Sequence, residues 1–320
     1  MTSTPTNRDQ TRQKRFIAPQ YWPIWLGVGL LRGLSLLPSS AQFATGRLLG
    51  TALYWFAIKR RKTALANIQL AFPEKSAQEQ KALCRAHFGS LGMSFAEMAL
   101  VWHGAKRYKN WPDAAAQLVE FHGQEYLQQA LESDRGLLIL APHFTTLEVT
   151  GLFIGLLTPY HAVYRPHNNP LMDAIIAKGR SLTCSDGTQV QPVANHNTRL
   201  MLKVLKSGQA MTLLPDQRYR AKGSIAVPLF GKICPSNPAT SKLAKLSGCA
   251  VIPTFTFRHL TTQGPRYQVH FLPALENFPS GDDYADTLRL HHLYEQAIRQ
   301  APEQYLWVHD RWDLKRQSSA

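Results

Sequence analysis

The chain of 320 residues has few acids and few cysteines, and it lacks the common nucleophile and phosphate-loop signatures. Its four cysteines, Cys84, Cys184, Cys234 and Cys249, are scattered. With no C-x-x-C pair and no histidine at zinc-ligand spacing, neither a disulfide framework nor a zinc ribbon is indicated, and the thiols read as reduced. No serine or cysteine sits in a nucleophile elbow, and no Gly-rich phosphate loop is present. The twelve histidines include His291-His292 but no H-E-x-x-H. No metal and no cofactor is therefore expected. No protein nucleophile is indicated.

Acids are scarce: 21 Asp and Glu stand against 36 Lys and Arg, a net charge of +15. The excess is concentrated. Residues 1–62 hold ten cations and one acid, and residues 199–245 hold nine cations and only Asp216. Two basic zones imply an anionic partner or surface: membrane, nucleic acid, phosphorylated substrate or acidic protein. Residues 1–15 read as a disordered basic tail. Phe16 to Leu37 carries a single charge, Arg32. As one helix it would reach ~33 Å against a ~30 Å hydrocarbon core. With Tyr21, Trp22 and Trp25 it reads as a membrane anchor, spanning or lying in one leaflet; a buried core helix is the alternative. Residues 41–58 read as a second, interfacial helix ending beside Lys59-Arg60-Arg61-Lys62. The division expected is a tail over 1–15, an anchor and interfacial helix over 16–62, and one catalytic domain over 63–320.

From Gly136 onward, strand and helix patterns alternate. Strands are expected at 137–140, 161–164, 210–214, 249–257 and 267–272. Helices are expected at 144–157, 170–180, 197–207, 238–247 and 284–300. This predicts an α/β fold: a mixed, mostly parallel sheet covered by helices and preceded by N-terminal membrane-associated helices. The run Leu137-Leu138-Ile139-Leu140 is short, continuous and apolar, as in a strand buried on both faces. His143 then lies at the carboxyl end of a parallel strand, where open α/β sheets place their ligands.

Glu148 follows His143 by five positions, a rotation of about 140° on a helix. The two side chains meet only if His143 sits in the turn and Glu148 in the first turns of the next helix. The pair then reads as a general base and the carboxylate that orients it. Thr145-Thr146-Leu147-Glu148 is equally a capping box, with Thr145 as N-cap. Arg165 follows the strand at 161–164, and Asp216 and Gln217 follow the one at 210–214. In a parallel sheet His143, Arg165 and Asp216 share one rim. The guanidinium there suits a phosphate or a developing oxyanion. A surface salt bridge for Arg165, and a turn or cap role for Asp216, are the plainer readings. Arg218, Arg220 and Lys222 place three cations just past Asp216, as an anion clamp or a solvated loop. Val227-Pro228-Leu229-Phe230-Gly231 suits the wall of an acyl site or a core strand.

With these residues in place, the chain resembles the late acyltransferases of lipid A biosynthesis, the lauroyl and myristoyl transferases of Gram-negative inner membranes. The resemblance rests on Asn67-Ile68-Gln69-Leu70-Ala71-Phe72-Pro73-Glu74, the H-x4-E pair His143 and Glu148, Tyr164-Arg165-Pro166, Leu214-Pro215-Asp216-Gln217, Val227-Pro228-Leu229-Phe230-Gly231 and Ala301 to Trp312. H-x4-D/E alone is shared with glycerolipid acyltransferases; the whole set in this order is specific. Residues 167–170 and 183–195 follow the family pattern only loosely. The resemblance implies a glycerolipid-acyltransferase-like core, acyl carrier protein as acyl donor, and a lipid A precursor as acceptor. It also implies a bacterial inner-membrane location with the catalytic domain on the cytoplasmic side. His143 would be the general base, Glu148 its partner and Arg165 a catalytic-site arginine. The resemblance makes Asp216 a rim residue; by position and charge, Asp216, Gln217, Arg218, Arg220 and Lys222 are expected to bind substrate. An acyltransferase of the same fold acting on another glycolipid or phospholipid is the near alternative. A basic membrane-associated nucleic-acid-binding protein is the distant one. That reading needs aromatics interleaved with the cations. Here the aromatics lie mainly beside the N-terminal helices, and no nucleic-acid partner is expected.

Overall fold

The computed structural model describes residues 16–107, 110–133, 135–183, 189–262 and 264–314. The basic tail and Cys184 lie outside them. A 3₁₀ turn (Pro19–Tyr21) precedes α1 (Trp22–Ser35), α2 (Ser39–Phe56), α3 (Ile58–Ala71), α4 (Ala77–Arg107) and α5 (Trp111–Ala116). Then come β1 (Val119–His122), α6 (Gln124–Leu131), β2 (Leu137–Leu140), α7 (Leu147–Leu157), β3 (Tyr160–Tyr164) and α8 (Pro170–Gly179). Short strands β4 (Leu182–Thr183), β5 (Gln189–Val190) and β6 (Val193–Ala194) lead to α9 (Thr198–Lys206) and β7 (Ala210–Leu213). The chain closes with β8 (Ile225–Leu229), β9 (Lys232–Ser236), α10 (Ala239–Ser247), β10 (Ala250–Thr261), β11 (Gly264–Phe271), α11 (Asp283–Gln300) and a 3₁₀ turn (Pro302–Gln304).

Seven strands form the main sheet in the order β1-β11-β10-β2-β7-β3-β6. Only the β10–β11 hairpin pairs antiparallel; the other neighbours are parallel. The α/β, mostly parallel part of the expected fold is therefore present. β2 lies in mid-sheet and each of its four side chains is 0% exposed. Leu138 and Leu140 enter one core with Met211, Val251 and Trp307, whereas Leu137 and Ile139 enter the other with Val149, Phe153 and Val269. Strand alternation divides the run between two faces, and each buried leucine contributes about 1.5–3 kcal/mol.

The N-terminal expectation requires correction. No helix among the described residues is long and apolar enough to cross a membrane. Proline is the physical reason. Pro19 starts a 3₁₀ turn, and Pro38 is the N-cap of α2. The apolar stretch is thus cut to the 14 residues of α1, about 21 Å long. The membrane-spanning anchor on which the expected inner-membrane address and membrane partner were built is therefore absent among the described residues. Nor is α1 a core helix: Trp22, Trp25, Leu26 and Leu30 are exposed. α2 packs closely on α4 through glycines. A Cβ on Gly92 would lie 2.1 Å from the Gly46 carbonyl oxygen, and one on Gly50 would lie 2.1 Å from that of Phe88.

Two buried histidines give the fold a pH limit. His87, on α4, bonds the Glu303 carbonyl oxygen at 3.2 Å; His291, on α11, bonds the Pro228 carbonyl oxygen at 2.7 Å and lies beside Arg311. Burial pushes both pKa values down to about 4, with Arg311 adding to the effect at His291. Below a pH of about 6.5 the unfolded chain takes up protons that the native state refuses until about pH 4. Stability is unaffected above that window and falls as pH drops through it. At pH 5 each histidine should cost ~2 kcal/mol. Denaturant melts at pH 7 and pH 5 should show the loss, and equal stability at the two would contradict it.

Candidate active site

β2 and β7 pair in parallel with Leu140 opposite Leu213. Three residues beyond each partner lie His143 and Asp216, so equal offsets on adjacent strands bring the two side chains together at the carboxyl rim. His143 Nδ1 lies 2.6 Å from Asp216 Oδ1, and the His143 backbone N–H donates to Asp216 Oδ2 at 3.0 Å. Both carboxylate oxygens are thus engaged by one residue. Asp216 is 1% exposed, while the His143 ring faces the cavity. Burial alone would raise the Asp216 carboxyl, but His143 and then Arg311 hold it below the usual carboxylate range. An ionised partner at this distance places the proton of the neutral imidazole on Nδ1 and leaves the Nε2 lone pair free.

The turn after His143 is held from below and from the side. The His143 carbonyl oxygen accepts from Leu306 N–H at 2.9 Å, and Thr145 N–H donates to the Gln304 carbonyl oxygen at 2.7 Å. Thr145 Oγ1 lies 2.7 Å from Ser90 Oγ, and Arg258 reaches both hydroxyls. Arg258 is itself paired with Glu97 at 2.6 Å, fully buried between α4 and β10. The hydroxyl of Tyr267 also donates to Glu97, at 3.0 Å. An orphaned buried charge is far more costly than a paired one, so this network fixes the turn in one position.

Glu148 is not the partner of His143. It accepts from Arg180 at 2.7 Å and from the Trp102 indole N–H at 3.3 Å. The capping box is absent too: Thr146 is the N-cap of α7, and its hydroxyl donates to the Thr256 carbonyl oxygen. Arg180 and Trp102 carried no signal in the sequence; it placed Asp216 on the same rim as His143, and the register of β2 on β7 turns that proximity into contact.

A cavity of about 1320 Å³ opens beside His143. One part is apolar, with Leu147, Gly151, Ile154, Ala162 and Ile176; the rim is basic, with Arg165, Arg180, Arg218, Arg220, Lys222 and Lys242. Arg165, Gln217 and Lys222 line it. The three-cation clamp is only partly available. Arg218 is bonded to Asp310 and Arg220 to Asp313, so both tie the loop to the C-terminal segment. Arg165 and Lys222 are exposed and have no carboxylate partner among the described residues. Val227 and Leu229 are core residues of β8, not cavity walls. Cys84, Cys234 and Cys249 are free and buried, and none lines the cavity. Among the described residues no group of side chains is arranged to hold a metal ion.

Comparison with known proteins bears on this site. Residues 10–314 match the family described as bacterial lipid A biosynthesis acyltransferase. The chain is similar to the lipid A biosynthesis palmitoleoyltransferase of Escherichia coli K12, with 32% identity over 305 residues and 94% of each chain covered. It is similar to the lipid A biosynthesis lauroyltransferase of the same organism, with 32% identity over 299 residues and 93% of each chain covered. Similarity to that organism's lipid A biosynthesis myristoyltransferase is lower, 24% over 297 residues, covering 92% of this chain and 88% of the relative.

Proposed function

Because the chain belongs to the bacterial lipid A biosynthesis acyltransferase family, we propose that His143, oriented by Asp216, catalyses acyl transfer from acyl carrier protein to a hydroxyl of a hydroxyacyl chain on a lipid A precursor. The observation that carries this reading is the 2.6 Å contact between His143 and buried Asp216 at the mouth of a cavity with an apolar part and a basic rim. Nε2 takes the proton as the hydroxyl oxygen attacks the thioester carbonyl. The new C–O bond gives a tetrahedral oxyanion, the C–S bond breaks, and the imidazolium returns its proton to the leaving thiolate. Asp216 stabilises the imidazolium by charge and holds the ring without itself being protonated.

Arg165 and Lys222 supply the cations that remain open to a ligand. Arg165 follows β3, two strands from His143, a backbone separation of roughly 9–10 Å. That distance suits an anionic group of either substrate, such as a phosphate, better than the reacting carbonyl. Gln217 lines the same rim. Glu148 holds Arg180 and Trp102, which shapes the wall beside the reacting groups.

The test incubates purified protein with acyl-loaded acyl carrier protein and a lipid A precursor bearing a free hydroxyl. Mass spectrometry should show the acceptor gaining one acyl chain for each carrier thiol released. Acylation of a phospholipid or another glycolipid in place of this acceptor would overturn the acceptor assignment, and no transfer to any hydroxyl would overturn the reading itself.

A further inference from the structure

A second, smaller groove adjoins the catalytic residues. It measures about 350 Å³, within the lower range of about 300–1,000 Å³ found for small-ligand sites. Its walls are Leu53 from the last turn of α2, Ala57 between α2 and α3, Phe88 and Leu91 from α4, and Leu306 and Val308 from the C-terminal segment. Phe88 is buried, and the other five are half-buried around an open trough. The mechanism given above makes no use of it.

The groove is joined to the site through its own wall. The Leu306 N–H donates to the His143 carbonyl oxygen at 2.9 Å. His309 closes one part of the groove, and burial, then His143, push its imidazole pKa down to about 4. Its Nε2 accepts from the Arg218 backbone N–H at 3.2 Å. The proton of the neutral ring is therefore on Nδ1, and that N–H has no acceptor among the described residues. Asn67 fixes this turn by donating to the carbonyl oxygens of Trp307 and His309. Arg60 lies across the groove, bonded to the Val308 carbonyl oxygen at 3.3 Å, within the exposed cation run that includes Lys59 and Lys62.

The geometry points to this groove as the subsite for the hydrocarbon chain of the acceptor lipid, with His309 Nδ1–H as its polar anchor and Arg60 facing the anionic headgroup. The inference rests on the acyl-transfer reading, in which two hydrocarbon chains must reach His143 together. The apolar part of the large cavity accommodates the donor chain. The acceptor hydroxyl sits within its own chain, so hydrocarbon must continue past His143 on a second apolar path. An open trough suits an acceptor with several chains, because only one of them enters and the product leaves after one turnover. The carbonyl beside the reacting hydroxyl gives Nδ1–H an acceptor.

Two substitutions change the groove in opposite directions. Ala57→Leu fills it, and Leu53→Ala enlarges it. Each methylene withdrawn from water is worth about a 4-fold change in binding. In folded Ala57→Leu protein, the KM for a glucosamine lipid with a fourteen-carbon hydroxyacyl chain should rise about 10-fold. The preference for that chain over an eight-carbon one should collapse, and the KM for acyl carrier protein should not move. Leu53→Ala should strengthen the preference for the longer chain, again without effect on the donor. Unchanged acceptor KM values in both folded variants would overturn the assignment, as would a rise in donor KM instead. Failure of the wild-type protein to acylate any hydroxyacyl lipid would count against the acyl-transfer reading, not against the groove alone.

Discussion

Replacement of His143 by alanine should lower turnover by at least about 100-fold, the usual scale for loss of a general base. The side chain is partly exposed to the cavity, and among the described residues its polar side-chain contact is to Asp216. Its removal leaves the β2 strand and both apolar cores untouched. The turn is also held by backbone bonds to Gln304 and Leu306, which alanine retains. A folded but inactive variant is therefore expected. Circular dichroism and a denaturant melt would establish folding, and release of free thiol from acyl carrier protein would follow turnover. Near-normal turnover in a folded His143→Ala protein would remove the base from the mechanism.

Much of the scaffold was legible because its signals are local. The four apolar residues of β2 announce a strand buried on both faces, and the turn to α7 follows from the change of period after His143. The same locality explains what was misread. Phe16 to Leu37 is a continuous apolar run by composition, but Pro19 and Pro38 stop it from forming one helix. Arg218 and Arg220 read as free cations because their carboxylates, Asp310 and Asp313, lie more than ninety positions away in sequence. Val227 to Gly231 left two readings open; the Phe230-Gly231 turn, both residues at positive φ, makes a tight hairpin whose strand is buried. The acid nearest in sequence, Glu148, was paired with His143, whereas Asp216, 73 positions away, makes the contact. Strand register decided that pairing, and register is not visible in either segment alone.

Asp216→Asn is the second large effect expected. The substitution keeps the shape of the side chain but removes its charge. An asparagine amide can donate to His143 Nδ1, which moves the ring proton to Nε2 and blocks the atom that must accept the hydroxyl proton. The imidazolium also loses its counter-charge. The corresponding change in the serine-protease triad lowers turnover by about 10⁴-fold, and ~10²–10⁴-fold is expected here. Glu148→Gln should behave differently. It leaves the His143–Asp216 contact intact and weakens only the bonds to Arg180 and Trp102. A loss of at most about 10-fold is expected, the scale of one weakened charge-assisted hydrogen bond. Single-turnover transfer rates measured side by side in folded Asp216→Asn and Glu148→Gln proteins test the assignment of Asp216 most directly. The account predicts that Asp216→Asn is the slower by at least about ten-fold; equal rates, or a slower Glu148→Gln, would contradict it.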